Sequence, residues 1–359
     1  MEQSTLPDRT TQISGAYRAN YMKILVTLAT TVLMVACGGD DTGTSPGTSP
    51  RTDGTAPAAR TFTGTVTNIV TGAKVQGAKV TIGEASGTSG ADGSYSLEFT
   101  DGGEGAPFRV EASGYHTRES SVSLNGSKTI NLTMIPIGNG FDLAFFDETF
   151  REPGRGTRRW ATQPAIEIWT QQLSAPACST SGPCKDQVTA DATPDWFEKY
   201  AREAIAEMSD LSGGTMNNPV ITLKTFAVGT QIDRHEASGN IRFKYIKAFP
   251  PPYANNGGAT GGQPNDKNEM VDAPIRINGT YPPRLDRPYP GAIFWHEFAH
   301  AMGFIPGHPQ GVPNVRGPSI MGPDPVVVTD KDRLHAKILY QRPAGSASPD
   351  RDPFGVNIN

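Results

Sequence analysis

At 359 residues the chain is too long for one ordinary core and suits two modest folded domains with unstructured segments beside them. With 40 glycines, 30 prolines and only 36% hydrophobic residues, the composition excludes long helical bundles and favours short strands and turns. A net charge of -4 excludes the basic footprint of a nucleic-acid binder.

Residues 1–37 read as an amino-terminal extension followed by an export signal. Lys23 precedes an apolar run from Ile24 to Ala36, too short to span a bilayer and suited to the core of a signal peptide. The run ends in Leu33-Met34-Val35-Ala36-Cys37, which resembles a bacterial lipobox, with Met34 in place of the usual leucine. That resemblance implies lipid attachment at Cys37 and an exported lipoprotein, anchored to the outer membrane or cell surface. Residues 1–21, mostly polar, are either an extended leader or the product of a mis-assigned start before Met22. Residues 38–60 consist almost wholly of Gly, Asp, Thr, Ser, Pro and Ala, a composition that cannot bury enough apolar surface to fold and reads as a tether.

Residues 61–136 show short alternating segments divided by turn signals, the pattern of a small antiparallel β-sandwich. Phe62, Gly64 and Val66 alternate with threonines, Val80 and Ile82 follow, and Tyr95 and Leu97 come after the turn Ala91-Asp92-Gly93. Further segments run through Phe108 and Val110, Val122 and Leu124, and Ile130 to Met134. The order Gly64-Thr-Val, Thr71-Gly72, Val75-Gln-Gly77-Ala78-Lys79-Val80, Ala91-Asp92-Gly93-Ser94-Tyr95 and Gly114-Tyr115 resembles the carboxypeptidase regulatory-like domain, a transthyretin-like sandwich. The resemblance implies an accessory or spacer role.

Residues 140–345 mix strands and helices. Ala165 to Thr170 predicts a strand, Pro194 to Met208 a helix capped by Thr193, and Val220 to Val228 and Ile241 to Ala248 further strands. Pro250 to Asn268 reads as a long loop, and Ala273 to Asn278 as an alternating strand that Pro274 assigns to a sheet edge. Cys178 and Cys184 flank Ser-Thr-Ser-Gly-Pro, a turn that would close into a disulfide in an oxidising compartment; two thiols are the alternative. Residues 346–359 read as a tail.

The chemistry concentrates in Ala292 to His308. On a helix, His296 and His300 stand one turn apart on one face, where both imidazoles reach one ion, and Glu297 beside them can take a proton from water. Burying a glutamate and two histidines in so apolar a helix would be costly without a metal. A third ligand must lie downstream, and no glutamate occurs after Glu297. The candidates are His308, after Gly303 and the turn Pro306-Gly307, and Asp324.

His296-Glu297, His300 and Gly303, with Ser319-Ile320-Met321-Gly322-Pro323, resemble the metzincins and most nearly their matrixin-like branch, HExxHxxGxxH with a methionine turn. The family's third histidine would fall at Pro306, whereas the histidine here is His308. The resemblance implies an α+β zinc-peptidase domain holding one Zn2+ through His296, His300 and a third ligand, with Glu297 as general base, Met321 beneath the metal, a closing helix near Val328 to Tyr340, and a protein or peptide substrate. The third ligand is read as His308, because imidazole is a common zinc ligand and Pro306-Gly307 supplies a turn before it, the alternative being a ligand lost or replaced. It also places the Ile275 to Asn278 strand where extended peptide adds to the sheet edge. Two other readings stay open: a surface adhesion protein with a degenerate peptidase domain, and a zinc hydrolase acting on a non-peptide amide. His116, His235 and His335 receive packing or surface readings.

Overall fold

In the computed structural model, residues 60–99, 105–152, 154–176, 184–234, 239–283, 289–304, 318–322, 327–356 and 358 are described. Cys37, the lipobox, the tether up to residue 59, Cys178, His235, His308 and Asp324 lie outside the described residues. The described part is predominantly β-sheet, arranged in several sheets with few helices.

The first eight strands are β1 (Arg60–Asn68), β2 (Lys79–Ile82), β3 (Ala85–Thr88), β4 (Ser94–Phe99), β5 (Ala106–Glu111), β6 (Arg118–Val122), β7 (Lys128–Thr129) and β8 (Leu132–Met134). One sheet runs β4-β1-β7 with β8 also on β1, and the other runs β3-β2-β5-β6. Because side chains alternate across a strand, Phe62 and Val66, Val80 and Ile82, Tyr95 and Leu97, and Phe108 and Val110 all turn into one shared core. The expected all-antiparallel arrangement needs correction: β7 and β8 run parallel to β1. The chain reaches them by crossing over from β6 in the other sheet, and only a hairpin would have forced reversal.

The second lobe contains α1 (Leu143–Phe150), β9 (Arg151–Glu152), β10 (Gly156–Thr157), β11 (Ala165–Ser174), β12 (Lys185–Ala192), α2 (Asp195–Ala206), α3 (Met208–Leu211) and β13 (Ile221–Lys224). It continues with β14 (Gln231–Asp233), β15 (Asn240–Ile246), β16 (Gly258–Thr260), β17 (Gln263–Pro264), β18 (Met270–Asn278), α4 (Ala292–Ala301) and α5 (Asp330–Tyr340). Its main sheet runs β14-β12-β11-β15-β18-β16, with β13 on β11 and β17 on β18. Ile166 and Ile168, Ile241 and Phe243, and Ile275 and Ile277 share one face of it, and α2 and α4 pack there through Phe197, Ala201, Phe294 and Phe298.

Three local expectations change. The helix starts at Asp195 with Pro194 as its cap residue, and Thr193 instead donates to the Thr170 carbonyl at 3.4 Å. Pro194 has no side-chain acceptor, and the Phe197 N–H of the first turn donates to its carbonyl at 2.9 Å. The stretch from Pro250 to Asn268 contains β16 and β17, whose Gly, Ala and Gln residues carry no strand signal of their own. β16 therefore takes the edge, and β18 lies between β15 and β16. Pro274 is tolerated inside because its missing N–H falls on the β16 side, where Gly261 interrupts the ladder and donates to the Pro274 carbonyl at 3.2 Å.

The carboxyl-terminal residues form a strap along β6. Asp352 N–H donates to the Glu119 carbonyl at 2.8 Å, Glu119 N–H to the Asp350 carbonyl at 3.0 Å, and Ile358 N–H to the Ser121 carbonyl at 3.0 Å. Arg342, only 2% exposed, holds Asp350 through Nε at 2.6 Å and NH2 at 2.8 Å and reaches Thr133 Oγ1 of β8 at 2.7 Å. Arg118 of β6 pairs with Asp352 at 3.2 Å. The sandwich and the second lobe accordingly belong to one compact unit, Thr55–Asn359.

Candidate metal and catalytic site

Helix α4 is fixed by its apolar face. Phe294 is fully buried among the rings of Trp196, Phe197, Tyr200 and Phe243, and Phe298 stacks on Phe243 with centroids 6.0 Å apart. Truncating such a phenylalanine costs about 3–5 kcal/mol, more than the helix could supply by its own propensity. The carboxyl end is tied down as well: Trp160 Nε1 donates to the Ala301 carbonyl at 2.8 Å and the Tyr340 hydroxyl to the Met302 carbonyl at 2.9 Å. Gly303 then turns the chain with φ +101°, and a Cβ there would lie 2.2 Å from the Arg158 carbonyl oxygen, so only glycine fits.

With Phe294, Phe298 and Ala301 toward the sheet, the 3.6-residue period puts His296 and His300 together on the side away from it and Glu297 beside the buried face, against edge strand β16. The imidazole centroids are 4.8 Å apart and the ring planes cross at 86°. His296 Nδ1 lies 3.0 Å from the Ile320 carbonyl oxygen and His300 Nδ1 lies 3.2 Å from that of Phe304. A carbonyl only accepts, so each Nδ1 carries the proton; in the neutral imidazole this puts the lone pair on Nε2. Neutral imidazoles with Nδ1 held in this way are the form that ligates zinc, and the residues present fit that ion.

The carbonyl behind His296 belongs to the 318–322 turn, and Asp332 holds that turn. Its carboxylate accepts from Ser319 Oγ at 2.5 Å and from Ile320 N–H at 3.0 Å, while Thr329 and Asp332 form the capping box of α5. Asp332 is wholly buried, and all its oxygens are committed to this junction. Met321 is buried in the same core as Phe298 and Met302. The link from Asp332 through Ile320 to His296 was missed in the sequence, although Thr329-x-x-Asp332 is a legible capping pattern.

Glu297 is 4% exposed and its carboxyl meets Thr260 Oγ1 of β16 at 2.8 Å. Burial pushes its pKa up to about 7, against the lowering effect of the Thr260 hydrogen bond. Two residues earlier on the same strand face, Gly258 leaves the room the carboxyl occupies: a Cβ there would sit 2.7 Å from Glu297 Cγ and Oε1. Nothing in the sequence marked Thr260 or Gly258, because the loop reading hid the strand that carries them.

Among the described residues, no three ligating side chains converge on one point. His296 and His300 are brought together, whereas His308 and Asp324 lie outside the described residues. Cys184 is engaged in a disulfide. His335 is a packing residue: fully buried against Phe141, Phe145 and Phe146, it accepts from Asp142 N–H at Nε2 and donates from Nδ1 to the Lys331 carbonyl. His116 packs edge-on to Phe141.

Neither protein-family models nor curated proteins give a match to this chain. Solved structures do. A Bacteroides fragilis protein of unknown function, described as membrane-associated, is 28% identical over 22% of this chain and 28% of its own length, with a TM-score of 0.19. Two interface mutants of a type II cohesin–X–dockerin complex from Acetivibrio cellulolyticus are each 18% identical. They cover 21% and 26% of this chain and 58% and 75% of theirs, with TM-scores of 0.19 and 0.20. The chain thus spans little more than a quarter of the Bacteroides protein's length, and none of the three reaches the similarity at which a shared fold follows.

Proposed function

We propose that the chain is a zinc-dependent endopeptidase whose second lobe is an α+β domain of metzincin type. The observation that carries this reading is the pair of imidazoles on α4, each fixed through Nδ1 by a main-chain carbonyl, with a buried carboxyl group between them. His296, His300 and His308 would hold the ion. When bound, zinc supplies a Lewis acid that polarises a scissile carbonyl and acidifies water.

Glu297, as the carboxylate, would take the proton of the attacking water and return it to the leaving nitrogen. The edge strand β16 offers its outer hydrogen-bonding groups to an extended peptide, directly beside Glu297. This replaces β18 as the strand of substrate addition, since β16 covers it. Lipid attachment at Cys37 would hold the enzyme at a membrane.

The test is zinc content and cleavage of a denatured protein by the purified chain, with His308→Ala beside wild type. One zinc per chain and zinc-dependent cleavage, both lost in His308→Ala, are expected. A wild-type protein that binds zinc and cleaves only small amides would point to the non-peptide hydrolase, and one that binds no zinc would point to the binding protein.

A further inference from the structure

Edge strand β16 does more than close one side of the main sheet. Its residues alternate: Ala259 packs toward the apolar cluster of Trp169 and Ile246 on the far face, while Gly258 and Thr260 face α4. Gly258 provides space for the Glu297 carboxyl, and Thr260 provides a hydroxyl. That hydroxyl meets two atoms of one residue, the Glu297 main-chain oxygen at 2.9 Å and Oε2 at 2.8 Å. Thr260 is itself fixed by pairing with Ile275 of β18 and by a β-branched side chain with few rotamers.

We propose that Thr260 is the positioning residue of Glu297, clamping Oε2 against its own helix backbone and leaving Oε1, beside Gly258, as the oxygen that takes the proton. This rests on Glu297 acting as the proton carrier of the proposed hydrolysis. A hydroxyl has one proton and two lone pairs. It can donate to Oε2 of the carboxylate, and to the same oxygen once Oε1 is protonated, so one side chain holds Glu297 before and after it takes a proton. Thr260 touches neither substrate nor metal in this role; it acts by holding another group to within a fraction of an ångström, where misplacement is costly to rate.

The experiment compares wild type, Thr260→Val, Thr260→Ser and Glu297→Gln in the full chain, each measured for zinc affinity, kcat and KM. Thr260→Val keeps the shape and removes the hydroxyl. Loss of a hydrogen bond to a charged group predicts a kcat lower by roughly 10- to 100-fold, with KM and zinc affinity within about twofold of wild type. Thr260→Ser should recover most of that loss. Combined with Glu297→Gln, Thr260→Val should lower the residual rate no further, since a residue that acts through Glu297 has nothing left to position. An unchanged kcat in Thr260→Val, an equal loss in Thr260→Ser, or a further loss in the double variant would overturn the assignment while leaving the peptidase reading intact. Absence of zinc-dependent cleavage by wild type would remove both, because there would be no proton carrier to hold.

Discussion

Two of the regions in which this molecule buries charge do so in opposite ways. At the strap, Arg342 and Arg118 are buried opposite Asp350 and Asp352, with main-chain and threonine oxygens taking further guanidinium protons. On α4, Glu297 is as deeply buried but meets the Thr260 hydroxyl, and the imidazoles near it on the helix are held by main-chain carbonyls. Paired buried charge holds two lobes together. A carboxyl buried with no cation beside it among the described residues carries a standing cost, and such costs collect where a proton or a metal is to be handled.

The largest expected effect separates the regions by activity. Glu297→Gln should lose roughly 100- to 10,000-fold in rate while keeping zinc, since the carboxyl is assigned proton transfer and no ligation. Loss of stoichiometric zinc in that variant would make Glu297 a ligand and dissolve the contrast.

Arg342→Ala tests the other side. Removing it strands Asp350 and Thr133 in a buried site, and breaking such a pair typically costs about 3–5 kcal/mol. Chemical denaturation should show that loss, with cleavage per folded molecule unchanged. A stability within about 0.5 kcal/mol of wild type would mean the strap is not what joins the lobes.

The two regions should also respond oppositely to neutralisation. In metal-free protein Glu297 has a folded pKa of about 7 against 4.5, so its burial cost is absent below pH 4.5, grows as pH rises and is complete above 7. Glu297→Gln should therefore be more stable than wild type at pH 8, by about 1–3 kcal/mol, and the difference should vanish near pH 4. Equal stability at pH 8 would show that the carboxyl is solvated when the metal is absent.

The smallest effect concerns His335, which burial keeps below its ordinary pKa of 6.5. A histidine with a depressed folded pKa contributes stability that is complete above the unfolded value and is lost as pH falls through it. Melting temperature should decline below pH 6.5 in wild type, and less steeply in His335→Gln. An identical slope in the two proteins would remove His335 from the acid response.

Much of the site was legible because its chemistry is local. The spacing of His296, Glu297 and His300 is one helical turn, and the apolar residues between them dictate which face is buried, so a few consecutive residues carried the reading. The glycine at 303 was readable for the same reason, as a helix end that must reverse. The sandwich segment was likewise visible, since period-two alternation needs no knowledge of partners.

What tertiary structure alone decided is pairing across distance. Gly258-Ala259-Thr260 has a single strand-favouring residue, Thr260, and becomes β16 by pairing with the edge of β18, which also turned the expected edge strand into an interior one. The carboxyl-terminal residues looked like a tail because their only apolar anchor is sparse, yet backbone groups of β6 and two buried arginines order them. Asp332 reaches His296 through a carbonyl, and Thr260 reaches Glu297 across 37 residues. Sequence by itself determined which residues can do chemistry, because that depends on side-chain type and helical period. Only the folded chain decided what holds them, because hydrogen-bond partners and sheet edges depend on where distant segments meet.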